Sequence, residues 1–86
     1  MEFEFSKHAL DQMERRYISK EVVLSIVHQP DSVIDQDETT RIYSKLVDMD
    51  SKIYLYRVFV NYVKNPSIII TAYKTSKIEK YGYKVW

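Results

Sequence analysis

The spacing of apolar side chains changes at Pro30, and this change constrains the fold more than any other feature of the chain. Before Pro30, apolar residues recur every three or four positions, as they do in a helix with one buried face. After Pro30, apolar and aromatic residues recur at every second position, as they do in a strand. Helices followed by a run of strands predict an α+β fold.

Two helices are predicted in the first part of the chain. The first begins after Ser6, whose hydroxyl can accept a hydrogen bond from an unpaired backbone N–H, and runs to about Tyr17. The second is Lys20–His28, which Ser19 caps and the following proline ends. His28 lies in the last turn, where a cation complements the helix dipole, so we interpret it as a cap rather than a ligand.

Strands are predicted over residues 32–35, 40–47, 53–63 and 67–73, and no element is predicted for residues 74–86. The third strand is apolar on both faces, which is typical of a central strand, and short turns predict antiparallel pairing. We therefore expect two N-terminal helices packed on one face of an antiparallel sheet of three or four strands, with the other face free for function. The expected core consists of Leu10, Met13, Val23, Ile26, Val58, Val60 and Ile69.

Length and composition restrict the class of protein. The 86 residues predict one domain, residues 1–86. The absence of cysteine excludes a thiolate zinc site and a cysteine nucleophile, and with only two histidines we expect no metal or other cofactor. Apolar runs are far shorter than the roughly 18–20 residues that span a membrane, and the acidic N-terminus lacks the cationic region of a signal peptide. We therefore expect a cytoplasmic protein without a membrane partner.

Charge is divided unevenly along the chain. Residues 1–38 carry nine acidic and four basic side chains, whereas residues 39–86 carry three acidic and nine basic ones. Folding can mix the two halves into an ordinary surface, or it can leave a basic surface for nucleic acid. Under the second interpretation, we expect one positive surface formed by Arg41, Lys74, Lys77 and Lys80.

The first predicted helix carries a polar row, His8, Gln12 and Arg16, beside its apolar stripe. Because an unpaired buried guanidinium is costly, Arg16 must reach solvent, pair with an acid such as Asp35 or Glu38, or face a cleft. In the last case His8 and Arg16 would face a cleft beside the sheet.

Polar side chains also interrupt the predicted strands. Arg41 and Arg57 break the apolar alternation. Each of them therefore either lies at an edge of the sheet or is a polar side chain that the fold places on a sheet face for function. Tyr73 shares one side of the last strand with Thr71, and two lysines follow it. Guanidinium groups clamp phosphate oxygens and a tyrosine or histidine transfers protons, so this set can bind a phosphodiester. The eight tyrosines can stack on bases or simply pack in the core.

Four segments carry a resemblance to a known family: Ser6-Lys7-His8-Ala9-Leu10, Pro30-Asp31-Ser32-Val33, Arg41-Ile42-Tyr43-Ser44-Lys45 and Ile69-Ile70-Thr71-Ala72-Tyr73-Lys74-Thr75-Ser76-Lys77. In this order they resemble the small bacterial family called domain of unknown function 4258. The chain departs from the family pattern at three positions, with Gln12 where many members carry Arg, Tyr17 where they carry Gly, and Gln29 where they carry Asn.

The resemblance implies a fold similar to that of the RelE/BrnT-like toxins, small ribonucleases of toxin–antitoxin pairs that cut messenger RNA without a metal. It implies RNA as the substrate and an antitoxin protein as a partner. In such a reaction the 2′-hydroxyl attacks the adjacent phosphate, Tyr73 or His8 transfers protons, and Arg16, Arg41 and Lys77 stabilise the developing charge.

The predicted site therefore has two parts. The predicted catalytic residues are His8, Arg16, Arg41 and Tyr73, gathered in one cleft, and the predicted nucleic-acid-binding residues are Arg57, Lys74, Lys77 and Lys80.

The alternative to a nuclease is a non-catalytic module of the same fold that binds a protein, or forms a homodimer, through a sheet edge.

Overall fold

The helices and strands follow the predicted order, with one strand added at the start. The computed structural model describes residues 2–82. Its elements are β1 (Phe3–Phe5), α1 (Lys7–Arg15), α2 (Lys20–His28), β2 (Ser32–Asp35), β3 (Thr40–Met49), β4 (Lys52–Asn61), β5 (Ser67–Thr75) and a 3-10 helix (Ile78–Tyr81).

The sheet has five strands in the order β1-β5-β4-β3-β2, so β4 is central, as predicted. Strands β2 to β5 pair antiparallel, but β1 pairs parallel to β5, with Phe3 opposite Ser67. The prediction of a purely antiparallel sheet of three or four strands is therefore wrong. A strand of three residues is too short to show alternation, and its partner lies at the other end of the sequence, so no turn signals the pairing.

Both helices pack on one face of the sheet, α1 against β5 and α2 against β3 and β4. The predicted caps are confirmed, because Ser6 accepts a hydrogen bond from the Ala9 N–H (3.0 Å) and Ser19 accepts one from the Val22 N–H (3.2 Å). His28 is also a cap, since its Nδ1 donates to the Leu24 carbonyl at 2.7 Å. No helix in residues 2–82 is long and apolar enough to span a membrane.

The core between helices and sheet contains the predicted residues, with one exception. Leu10 is half-exposed, because it lies at the border of the α1 stripe. The buried residues that were predicted are Met13, Val23, Ile26, Val58, Val60 and Ile69.

The face of the sheet opposite the helices, called here the second face, is not free. Leu55 is fully buried, and Ser44 and Ile42 are nearly fully buried. The register of β3 and β4 nevertheless places all three side chains on the face away from the helices. The segment after β5, for which the sequence predicts no element, turns into the 3-10 helix and buries Ile78. The remainder of that predicted tail, residues 83–86, lies outside the described residues.

The hairpin between β3 and β4 has a two-residue turn. Asp50 and Ser51 both have positive φ, 52° and 66°, and the Met49–Lys52 pair closes the ladder beside them. Positive φ at both central residues is the conformation that suits the twist of the flanking strands. The turn is shorter than predicted, so β3 extends to Met49.

The end of α1 is a Schellman motif built around a tyrosine. The Ile18 N–H donates to the Met13 carbonyl (2.9 Å), and the Tyr17 N–H donates to the Glu14 carbonyl (3.3 Å). Tyr17 therefore has a left-handed φ of 56° where glycine is the favoured residue, and its ring is 92% exposed.

Tyr17→Gly is expected to stabilise the protein by about 1 kcal/mol, because it removes the left-handed strain and loses almost no packing. For a chain of this size, that change raises the melting temperature by roughly 4–8 °C. Tyr17→Ala is the matched control, since it removes the ring but keeps a Cβ in the strained conformation. Equal melting temperatures for the two variants in a thermal scan would contradict this explanation.

Candidate active site

Arg57 and Tyr73 form the centre of the site. They lie directly opposite each other on β4 and β5, with both side chains on the second face. The Arg57 Nη1 donates a hydrogen bond to the Tyr73 hydroxyl oxygen at 2.7 Å. A half-buried guanidinium is therefore fixed on the oxygen of a tyrosine that the sequence predicts to be catalytic.

Tyr81 joins this pair from the 3-10 helix. Its hydroxyl lies 3.3 Å from the Tyr73 hydroxyl, and its ring centroid lies 4.5 Å from the Arg57 Cζ. At that distance the cation and the ring face attract each other. We call Arg57, Tyr73 and Tyr81 the tyrosine–arginine cluster; sequence reasoning missed Tyr81 because its segment shows no periodicity.

The two hydroxyl groups of the cluster have different acidities. Burial raises the pKa of Tyr73, and the hydrogen bond with Tyr81 raises it further, although Arg57 acts in the opposite direction. The hydrogen bond with Tyr73 lowers the pKa of Tyr81, and the positive charges of Lys80 and Arg57 lower it too. Tyr81 is therefore the first of the pair to ionise as pH rises.

Helix α1 borders the cluster from the edge of β5. The Thr71 hydroxyl donates to Gln12 Oε1 at 2.7 Å, and Arg16 Nη1 donates to the Ala72 carbonyl at 2.8 Å. The Arg16 Cζ lies 6.0 Å from the centroid of the Tyr73 ring. Arg16 thus reaches the strand that carries Tyr73, and it contacts neither of the acids considered in the sequence analysis.

A cleft of about 440 Å³ is lined by Arg16, Tyr73 and Lys74. A second cleft of about 290 Å³ lies along residues 76–80 and includes Lys77, Lys80 and the acidic Glu79. Cationic side chains outnumber acidic ones in both clefts, which suits an anionic ligand. A larger cleft of about 530 Å³ is lined by the acidic residues Asp11 and Glu14 together with Arg15 and Tyr17, and its carboxylates disfavour phosphate.

Arg41 lies outside the tyrosine–arginine cluster. It is opposite Val60, a residue of the helix-side core, so its side chain starts on the other face of the sheet from Tyr73. Its Nε donates to Asp35 Oδ1 at 2.8 Å, and its Cζ lies 4.0 Å from the centroid of the Tyr62 ring. The structure therefore places Arg41 apart from Tyr73, and apart from Lys77 and Lys80, which follow β5 and with which a common positive surface is predicted. The fourth predicted member, Lys74, is in β5 opposite Tyr56, so its side chain starts on the same face as that of Arg41, and its Nζ lies 5.3 Å from the centroid of the Tyr54 ring.

His8 is exposed on the first turn of α1, one turn before Gln12. Within the described residues its ring forms no hydrogen bond, so the structure leaves its predicted role in proton transfer a prediction. Its neighbours in the motif have structural roles, since Ser6 caps the helix and Ala9 is fully buried.

The Pro30-Asp31 element is structural too. The Asp31 N–H donates to the Ser44 carbonyl, and Asp31 Oδ2 accepts from the Leu46 N–H, both at 2.8 Å. These bonds extend the pairing of β2 with β3 by one residue. The element therefore fixes the start of β2, and it lies away from the tyrosine–arginine cluster.

The spacing of Arg57 and Tyr73 around the turn between β4 and β5 is a sequence signal for their pairing. The two residues are equally distant from Asn65, which lies in the turn between β4 and β5. A hairpin centred on that turn places them opposite each other. Tyr81 has no comparable signal, because its position depends on a turn after β5.

Comparison with known protein families gives a match over most of the chain. The model of a family described as domain of unknown function (DUF4258) matches residues 5–74. No curated protein and no solved structure matches the chain. The match ends at Lys74, so Tyr73 lies inside the matched segment and Tyr81 lies beyond it.

Proposed function

We propose that this chain, which belongs to the DUF4258 family, is a metal-independent RNA endonuclease of a toxin–antitoxin pair. The observation that carries the proposal is the 2.7 Å hydrogen bond from Arg57 to the hydroxyl of Tyr73, beside a basic cleft that Tyr73 lines. The likeness to RelE/BrnT-like toxins that the sequence implies is part of the same proposal.

The cluster contains the groups that this reaction needs. As the RNA 2′-oxygen attacks phosphorus and the bond to the 5′-oxygen breaks, negative charge grows on the phosphoryl oxygens. Arg57 and Arg16 lie on either side of Tyr73 and can stabilise that charge with guanidinium donors. Tyr73 is the group placed to exchange a proton with the RNA, while Lys74, Lys77 and Lys80 would hold neighbouring phosphates.

Tyr73→Phe is expected to lower the rate of RNA cleavage by about 10²-fold or more, since it removes the only atom of that side chain that transfers protons. The assay incubates the purified full chain, with EDTA present, with a single-stranded RNA and with its 2′-O-methyl analogue. Wild type should cut only the unmodified RNA and leave a 2′,3′-cyclic phosphate.

Arg16→Ala should lower the rate of RNA cleavage at least as much as Tyr73→Phe does.

Tyr62→Phe is the matched control, because it removes a hydroxyl from a tyrosine that also stacks on an arginine, Arg41, but on the opposite face. It should cut RNA at the wild-type rate. Thermal melts of all variants separate lost chemistry from lost folding. Wild type that leaves RNA intact would overturn the proposal.

One observation favours a second function, binding of a protein partner. Strand β2 is an edge strand, and its Val33 and Ile34 are 47% and 53% exposed. An exposed edge with apolar side chains is a template for an added strand, such as one from an antitoxin or a second copy. This function becomes the better account if the wild type is inert toward RNA while size-exclusion chromatography shows association.

A further inference from the structure

Tyr81 is held in place by its own segment. Ile78 at the start of the 3-10 helix is only 2% exposed, which anchors that end of the helix in the folded protein. At the other end the Gly82 N–H bonds back to the Glu79 carbonyl (3.1 Å) and closes the last turn. The buried Ile78 and the contact of the Tyr81 ring with Arg57 therefore hold Tyr81 beside Tyr73.

The donors and acceptors around Tyr73 allow a directed chain of hydrogen bonds through the two tyrosines. An arginine can only donate, so the Tyr73 oxygen accepts from Arg57. The hydrogen of Tyr73 is then free to point at the Tyr81 oxygen, 3.3 Å away. An ionised Tyr81 can only accept, so with Tyr81 ionised Arg57 donates to Tyr73 and Tyr73 donates to Tyr81.

The two tyrosines differ in their relation to the cleft. Tyr73 lines it with Arg16 and Lys74, whereas the ring of Tyr81 packs against the guanidinium of Arg57. A substrate in the cleft would therefore contact Tyr73, and the hydrogen bond between the two hydroxyl groups would connect that substrate to Tyr81.

We propose that Tyr81 is a positioning residue that takes up the proton of Tyr73 while Tyr73 takes up the proton of the RNA 2′-hydroxyl. This inference rests on the proposed nuclease function and adds a residue beyond the segment that the family model matches. It assigns the two tyrosines to successive positions in one proton path, with only Tyr73 in contact with the substrate.

The step balances as follows. The 2′-oxygen loses its proton to the Tyr73 oxygen and forms a bond to phosphorus, and the bond from phosphorus to the 5′-oxygen breaks. Tyr73 passes its original proton to ionised Tyr81, so Tyr73 is neutral before and after the step. The 5′-oxygen takes a proton from water, and Tyr81 later returns its proton to the solvent.

The groups that face Tyr81 favour its ionised form. Arg57 faces it from β4, Tyr73 faces it from β5, and the Lys80 Nζ of its own helix lies 6.0 Å from its ring centroid. Two cations and one hydrogen-bond donor therefore stabilise a negative oxygen at this position.

Tyr81→Phe tests the proposal through the pH profile of cleavage. Wild-type activity should rise as Tyr81 loses its proton. In Tyr81→Phe, Tyr73 has no acceptor and must ionise by itself, so the rising limb should move to higher pH. We expect the rate to fall by about tenfold or more at neutral pH and to recover in alkaline solution. Tyr62→Phe should keep the wild-type profile.

Carbon-13 labelling of tyrosine Cζ gives a readout that does not depend on activity. In wild type the Tyr81 signal should titrate below the ordinary tyrosine range, and in Tyr73→Phe it should move towards that range. An active wild type with the same pH profile in Tyr81→Phe overturns this inference alone. An inert wild type overturns the nuclease proposal and the use of Tyr81 with it.

Discussion

Arg57→Met is expected to lower the rate of RNA cleavage by about 10²–10³-fold, which is the effect of removing a donor aimed at developing charge. The side chain of Arg57 contacts the Tyr73 hydroxyl and lies near the rings of Phe59, Tyr73 and Tyr81. Methionine keeps an apolar stem of similar length for those rings, so the loss should fall on catalysis. Single-turnover cleavage measures it.

Arg41→Met is the matched control for this prediction. Arg41 also stacks on a tyrosine and has an acidic partner, but it lies on the helix-side face. It should therefore retain most of the activity, although the sequence pattern alone places it among the catalytic residues. A larger loss in Arg41→Met than in Arg57→Met would show that the reaction takes place at the other face.

Leu55→Ala is expected to lower the free energy of unfolding by about 2–5 kcal/mol, the usual effect of emptying a fully buried leucine site. Leu55 is 0% exposed, yet it lies on the second face, away from both helices. The loss would be a large fraction of the stability of a small domain. Urea denaturation followed by circular dichroism measures it.

Ile53→Ala is the comparison for Leu55→Ala, because Ile53 lies two residues earlier on the same face of β4 and is 37% exposed. Its loss should be no more than about 1 kcal/mol. Equal losses for the two variants would mean that the second face has no core of its own.

Local signals account for the elements that sequence reasoning placed well. A capping serine and a following proline mark both ends of α2, and apolar and aromatic residues at every second position mark β4. Strand β1 has no such signals, and it becomes a strand only because β5 offers it an edge. Its pairing is a tertiary effect, which no window of the sequence contains.

The site shows the same division between local and long-range information. The helical row and the strand end predict Arg16 and Tyr73 as neighbours, and the structure brings them together at one cleft. Arg41, predicted for the same cleft, lies on the other face because of the hairpin turn. A two-residue turn pairs odd with even positions across β3 and β4, so Arg41 and Arg57 lie on opposite faces.

The position of α1 beside β5 also limits how chains can assemble. Strand β1 pairs with the first part of β5. Helix α1 packs along the remaining part of β5, where Arg16 donates a hydrogen bond to the Ala72 carbonyl. Within residues 2–82, the two edges of the sheet are β2, with four residues, and β1, with three. The longer edge, β2, is therefore the better place for a second chain to pair. Two chains joined through β2 would expose only their two short β1 strands as outer edges, which disfavours further edge-to-edge growth into a fibre.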